Sequence, residues 1–94
     1  SVPGEFSLEQ NYPNPFNPTT FISYSVSAAP GRVTQVELHV FDIMGRQVAT
    51  LVNGPKQAGN YTVAFDAAHL PSGVYFARLQ AGDFAATRKM VLVE

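Results

Sequence analysis

Val36-Glu37-Leu38-His39-Val40-Phe41-Asp42-Ile43-Met44-Gly45-Arg46-Gln47-Val48 decides the fold class. Val36, Leu38 and Val40 alternate with Glu37, His39 and Phe41, the period of two at which a strand points successive side chains to opposite faces. The pattern predicts a half-buried strand with a mostly polar outer face, as in antiparallel sheets. Asp42 to Arg46 is short enough only for a tight connection, and Gly45 supplies the positive φ that closes a bulged hairpin. Gln47 to Val52 returns as the partner strand. Asn53-Gly54-Pro55 is expected to end it by turn chemistry.

The same alternation extends both ways. Phe21 to Val26 places Ile22, Tyr24 and Val26 on one face until Ala29-Pro30-Gly31 breaks the run. Gly59 opens a strand in which Tyr61, Val63 and Phe65 share a face. Val74 to Gln80 and Phe84 to Val93 form a hairpin around Ala81-Gly82-Asp83. With Phe6 to Gln10 as a first edge strand, the chain carries about seven strands separated by Gly, Pro and Asn turns, and no sustained helical period. The expected fold is all-β, a small antiparallel seven-stranded β-sandwich of the immunoglobulin or fibronectin-III kind. Leu70-Pro71-Ser72-Gly73-Val74-Tyr75 supports it, because a Tyr early in a late sandwich strand returns its hydroxyl to the backbone upstream and pins the crossover.

Asn11-Tyr12-Pro13-Asn14-Pro15-Phe16-Asn17-Pro18-Thr19-Thr20 stands apart. Each of its three prolines lacks the N–H that a central strand needs, and each pushes the residue before it towards extended backbone. The expectation is a polyproline II segment whose three-residue turn stacks Asn11, Asn14 and Asn17 along one side. Such a rigid polar ridge suits docking, not chemistry.

Composition bounds the rest. Ninety-four residues make one domain, and 46% hydrophobic with 12% aromatic residues is too apolar for a disordered tail. A formal net charge of -1, from only 14% charged residues, provides no field to draw nucleic acid. Without cysteine there is no disulfide framework and no thiolate metal site. No apolar run approaches the ~20 residues of a transmembrane helix. The chain opens at Ser1, and Ser1 to Glu5 is expected to be linker from an upstream domain, with the folded unit over 6–94.

No catalytic or cofactor constellation emerges. His39 belongs to a strand's outer face and His69 to a loop, while Asp42, Asp66 and Asp83 fall at separate turns, where Asp is favoured without a metal. Ser72 lies in a Pro-Ser-Gly turn without the Gly-x-Ser-x-Gly elbow of a nucleophile. Nothing pairs two carboxylates in a cleft. The expectation is no enzyme, no cofactor and no metal. Exposed aromatics are the material of a sugar platform, and Phe41 and Phe76 fall opposite the inward residues of their strands. Arg88 and Lys89 point to opposite faces of the last strand, which suits either edge protection or a basic contact.

Three motifs in order resemble the C-terminal sorting domain of the type IX secretion pathway. They are the run from Asn11 to Thr20, Val40-Phe41-Asp42-Ile43-Met44-Gly45-Arg46-Gln47-Val48, and Leu70-Pro71-Ser72-Gly73-Val74-Tyr75-Phe76-Ala77-Arg78-Leu79 followed by Thr87-Arg88-Lys89-Met90-Val91-Leu92-Val93. The likeness covers about Phe6 to Glu94. It implies a non-catalytic sandwich at the end of a larger secreted protein of Bacteroidetes-type, Gram-negative bacteria. The implied partners are an outer-membrane translocon, a sortase-like peptidase and an upstream cargo, with release or attachment at the cell surface. By the same resemblance, recognition falls on Asn11, Pro13, Asn14, Pro15, Phe16, Asn17, Pro18, Gly73, Tyr75, Arg88 and Lys89.

A similar Pro-Asn-Pro-Phe-Asn-Pro run occurs in the Ig-like part of flagellar hook-capping proteins, where the sandwich is an assembly module. A carbohydrate-binding or structural accessory module of a secreted enzyme is the other alternative. Strand addition of a receptor to Phe6–Gln10 or Phe84–Val93 is a further expectation, since an edge strand offers unpaired backbone groups.

Overall fold

The computed structural model describes residues 5–94, so of the expected linker only Glu5 lies within the described residues. Among the described residues seven strands form: β1 Ser7–Leu8, β2 Thr19–Val26, β3 Thr34–Asp42, β4 Gln47–Lys56, β5 Gly59–Asp66, β6 Gly73–Ala81 and β7 Phe84–Leu92. They build two antiparallel sheets, β1-β2-β5 and β4-β3-β6-β7. The all-β sandwich expected from alternation is the observed fold.

The core follows the period of two. Ile22, Tyr24 and Val26 of β2, Val36, Leu38 and Val40 of β3, and Tyr75, Ala77, Leu79 and Ala81 of β6 are all buried. Burying a side chain such as Leu38 contributes roughly 1.5–3 kcal/mol. A one-residue slip would turn that whole set to solvent, which fixes the register.

The hairpin predicted at Asp42–Arg46 forms with Gly45 at φ 81°. The Asp42 carboxylate organises it, accepting the Met44 N–H at 2.9 Å, the Arg46 N–H at 3.0 Å and the Arg46 Nε–H at 2.8 Å. Those donors hold its carboxyl below the usual carboxylate range, the Arg46 backbone N–H foremost. Asp66 caps the β5–β6 connection by accepting the Ala68 N–H at 3.0 Å.

Strand boundaries differ from expectation in three places, and the first is β2, which begins at Thr19 inside the proline run, where Thr19 and Thr20 pair with Asp66 and Phe65. The β4 strand continues through Asn53-Gly54-Pro55, which pair with Glu37, Val36 and Gln35. Turn chemistry yields here because β4 is the outer strand of its sheet, where a proline can face away from the ladder. At the N-terminus the strand is Ser7–Leu8 instead of Phe6 to Gln10, with the Glu9 N–H still donating to the Ser23 carbonyl of β2 at 2.9 Å.

The strand ends define two ends of the molecule, whose longest extent is 43 Å. Glu5 enters at one end, where its carbonyl accepts the Ser25 hydroxyl at 3.1 Å. The β6–β7 turn and the start of β3 share that end, as Ala81 pairs with both Phe84 and Val36. The other end gathers the proline run, the Asp42–Arg46 turn, the β5–β6 connection and Val93-Glu94. There Thr19 pairs with Asp66, Asp42 with Tyr75, and Gly73 with Leu92.

Candidate functional site

Phe16 decides the shape of the proline run. It is the run's bulkiest side chain to be fully buried, at 1% exposure, tilted against Phe65 with ring centroids 6.0 Å apart. Sinking that ring bends the chain inward at the middle of the run. A polyproline II helix leaves its backbone solvated, so the two requirements conflict and burial prevails.

The expected ridge is therefore absent. Asn11 is buried, Asn14 turns to β7, and Asn17 is exposed. Tyr12-Pro13, Asn14-Pro15 and Asn17-Pro18 are cis peptide bonds. Pro13, Pro15 and Pro18 lie on the surface.

Asn11 works from inside. Its Nδ2 donates to the Pro13 carbonyl at 3.1 Å and to Thr20 Oγ1 at 3.0 Å, and the Thr20 hydroxyl donates to the same carbonyl at 2.8 Å. The Gln10 amide donates at 2.7 Å both to Asn11 Oδ1 and to the Lys89 carbonyl. Neither Gln10 nor Thr20 was among the residues singled out from sequence. Thr20 carried a signal, since it lies in phase with Ile22, Tyr24 and Val26.

The run is locked to the last strand. Asn14 Oδ1 accepts the Val91 N–H at 3.0 Å. The Phe16 N–H donates to the Val91 carbonyl and the Val93 N–H to the Phe16 carbonyl, each at 2.9 Å. At its other side the run joins β2, where Tyr12 and Phe21 exchange backbone hydrogen bonds at 3.0 Å. The Pro18 carbonyl accepts the Ala67 N–H at 2.9 Å.

This lock covers edges expected to be open. Phe16 takes the outer side of β7 at Leu92, and Arg88 Nε donates to the Leu8 carbonyl at 2.8 Å, joining β7 to β1. The two segments expected to accept an added strand are thus partly occupied by the chain itself. Arg88, itself exposed, closes this seam, and Lys89 is exposed on the opposite face beside Phe76.

The crossover follows the sequence closely. The Tyr75 hydroxyl donates to the Pro71 carbonyl at 2.6 Å, pinning the β5–β6 connection. Burial pushes the Tyr75 hydroxyl's pKa up, and the Asp42 and Glu94 carboxylates add to it. Gly73 opens β6 at φ 149°, a backbone state that L side chains rarely adopt. Phe41 and Phe76 face each other directly across β3 and β6, both half-buried.

His39 is held by Thr50 at 3.0 Å and Glu37 at 3.2 Å. Among the described residues no three His, Asp or Glu side chains converge as metal ligands. No helix among the described residues is long and apolar enough to cross a membrane.

Residues 10–94 match the family model described as the secretion system C-terminal sorting domain. Neither a curated protein nor a solved structure matches the chain.

Proposed function

The chain belongs to the C-terminal sorting domains of type IX secretion, and on that premise we propose that residues 6–94 form a non-catalytic address label for a cargo upstream in the same polypeptide. A translocon in the outer membrane of a Gram-negative bacterium reads the folded label, and the cargo is released or attached at the cell surface. A sortase-like peptidase removes the label, and that cleavage is the step that frees the cargo for release or attachment.

The observation that carries this function is the lock between Asn14 and Phe16 and the strand end at Val91 and Val93. Two motifs far apart in sequence become one surface only when the sandwich has formed, so a receptor that reads both also reads folding. A surface already rigid loses little conformational entropy on binding. We assign recognition to the exposed members that do not tie β7 to β1, namely Pro13, Asn14, Pro15, Asn17, Pro18, Gly73 and Lys89. Asn11, Phe16, Tyr75 and Arg88 serve it by holding the fold.

A reporter followed by this chain tests the assignment. Asn17→Ser and Lys89→Gln combined should lower export with an unchanged unfolding midpoint. Export at the unsubstituted level would contradict it.

The Phe41–Phe76 pair favours one alternative, a carbohydrate-binding accessory module. Retention on an insoluble polysaccharide, lost in Phe76→Ala, would select that role.

A further inference from the structure

Exposed apolar side chains are unevenly placed on this molecule. Tyr12, Phe21, Ile43, Met44 and Val93 are large, hydrophobic and exposed, and all lie towards the end that carries the proline run. Val33 is the one such residue of the described chain towards the end where Glu5 enters. Ile43 and Met44 stand out because Asp42 braces the turn beneath them with three hydrogen bonds. Their 71% and 76% exposures are thus built into a fixed loop. An apolar pair presented on a rigid turn is a costly surface unless something covers it.

Beside that turn lies a cleft of about 570 Å³, between Asp42–Val48 and Leu70–Tyr75. Val48, Leu70 and Val74 give it apolar walls, and Tyr75 closes it. Its size suits one or two side chains of a partner. The ionisable residues towards this end are Asp42, Asp66 and Glu94 against Arg46, Lys89 and His69; Asp42 is paired with Arg46 at 2.8 Å, which leaves Asp66 and Glu94 as the carboxylates without an ion-pair partner among the described residues.

We infer that this end, led by Ile43 and Met44, is the docking face for a protein receptor that presents an apolar side chain to the cleft and basic residues around it. The inference rests on the sorting function proposed above and gives it a direction. The upstream chain enters at Glu5, so the receptor contacts one end while the cargo trails from the other, up to about 43 Å away. That geometry lets one label serve cargoes of any shape, because the cargo stays clear of the contact.

The test uses the whole chain behind a periplasmically targeted reporter, in strains with and without the type IX translocon. A photoreactive benzoylphenylalanine is placed at position 44 or, separately, at position 33. The expected result is an adduct with an outer-membrane translocon subunit from position 44 and not from position 33. Ile43→Ser with Met44→Ser should cut export at least tenfold while the unfolding midpoint holds, because both side chains are exposed. Two results would overturn the inference and leave sorting intact. One is translocon-dependent export at the unsubstituted level by the serine variant; the other is an adduct only from position 33. An adduct joining two copies of the chain would assign the face to self-association. An unsubstituted reporter that stays in the periplasm of both strains would remove the sorting function and this inference with it.

Discussion

Asn14 Oδ1 accepts a hydrogen bond from the backbone N–H of Val91, 3.0 Å away in space and 77 positions along the chain. The bond joins the most irregular segment to the most terminal strand. It makes the three asparagines of the run unequal. Asn11→Ala should cost about 1–3 kcal/mol, because it removes a buried amide and leaves the Gln10 and Thr20 groups short of partners. Asn14→Ala should cost about 1 kcal/mol, and Asn14→Asp, which keeps the acceptor, less. Asn17→Ala should stay within about 0.5 kcal/mol. Urea unfolding followed by tyrosine fluorescence ranks them.

Tyr75→Phe should destabilise by about 1 kcal/mol through loss of the bond to the Pro71 carbonyl. The pH dependence follows from the raised pKa of Tyr75. The folded protein keeps the phenolic proton when the unfolded chain has lost it. The Tyr75 contribution is therefore full below about pH 10, the unfolded value, and is lost as pH rises towards the higher folded value. Tyr24, raised by burial and then by Tyr61, adds a second contribution of the same sign. The variant's stability should fall less steeply above pH 10 than the parent's, measured by urea unfolding.

At the acid end Asp42 sets the opposite sign. Its lowered carboxyl stabilises the fold above about pH 4, the unfolded value, and that contribution is lost as pH falls through the lower folded value. Carbon-detected titration of the Asp42 carboxyl should show the depression. Arg46→Met should relieve only part of it, because the Arg46 backbone N–H, the largest cause, remains. Full relief would show that the guanidinium dominates.

Gly73→Ala isolates backbone strain from crowding. A Cβ at Gly73 meets no heavy atom within 4 Å, yet φ there is 149°. The substitution should cost about 1–3 kcal/mol from conformation alone. Gly54→Ala is the matched control, with equal space and no positive φ, and should be neutral or stabilising by about 0.4–1 kcal/mol. Equal losses at both positions, read from urea midpoints, would refute the strain argument.

Local rules made the sandwich legible. The alternation over Val36–Val40, Gly45 in its turn and Tyr75 after Pro71 each depend on neighbours within a few positions, and each appears as expected. The candidate site depends on partners that a local rule does not see. Whether Asn11, Asn14 and Asn17 line up is settled by where Phe16 finds a core, and that core belongs to β5 and β7. The extension of β4 through Pro55 likewise follows from its outer place in the sheet, which sequence spacing does not reveal. The closed seam at Arg88 and Leu8 is a contact across 80 positions. The order of the motifs was readable, but their assembly at one end of the sandwich became visible only with the strand register.

The most direct measurement is export of a fluorescent reporter with a periplasmic signal at its N-terminus and Ser1–Glu94 at its C-terminus. It is made in a Bacteroidetes strain with the type IX translocon intact and in the same strain lacking it. The account predicts fluorescence outside the cell only when the translocon is present. Reporter held in the periplasm of both strains, with the domain folded, would contradict it.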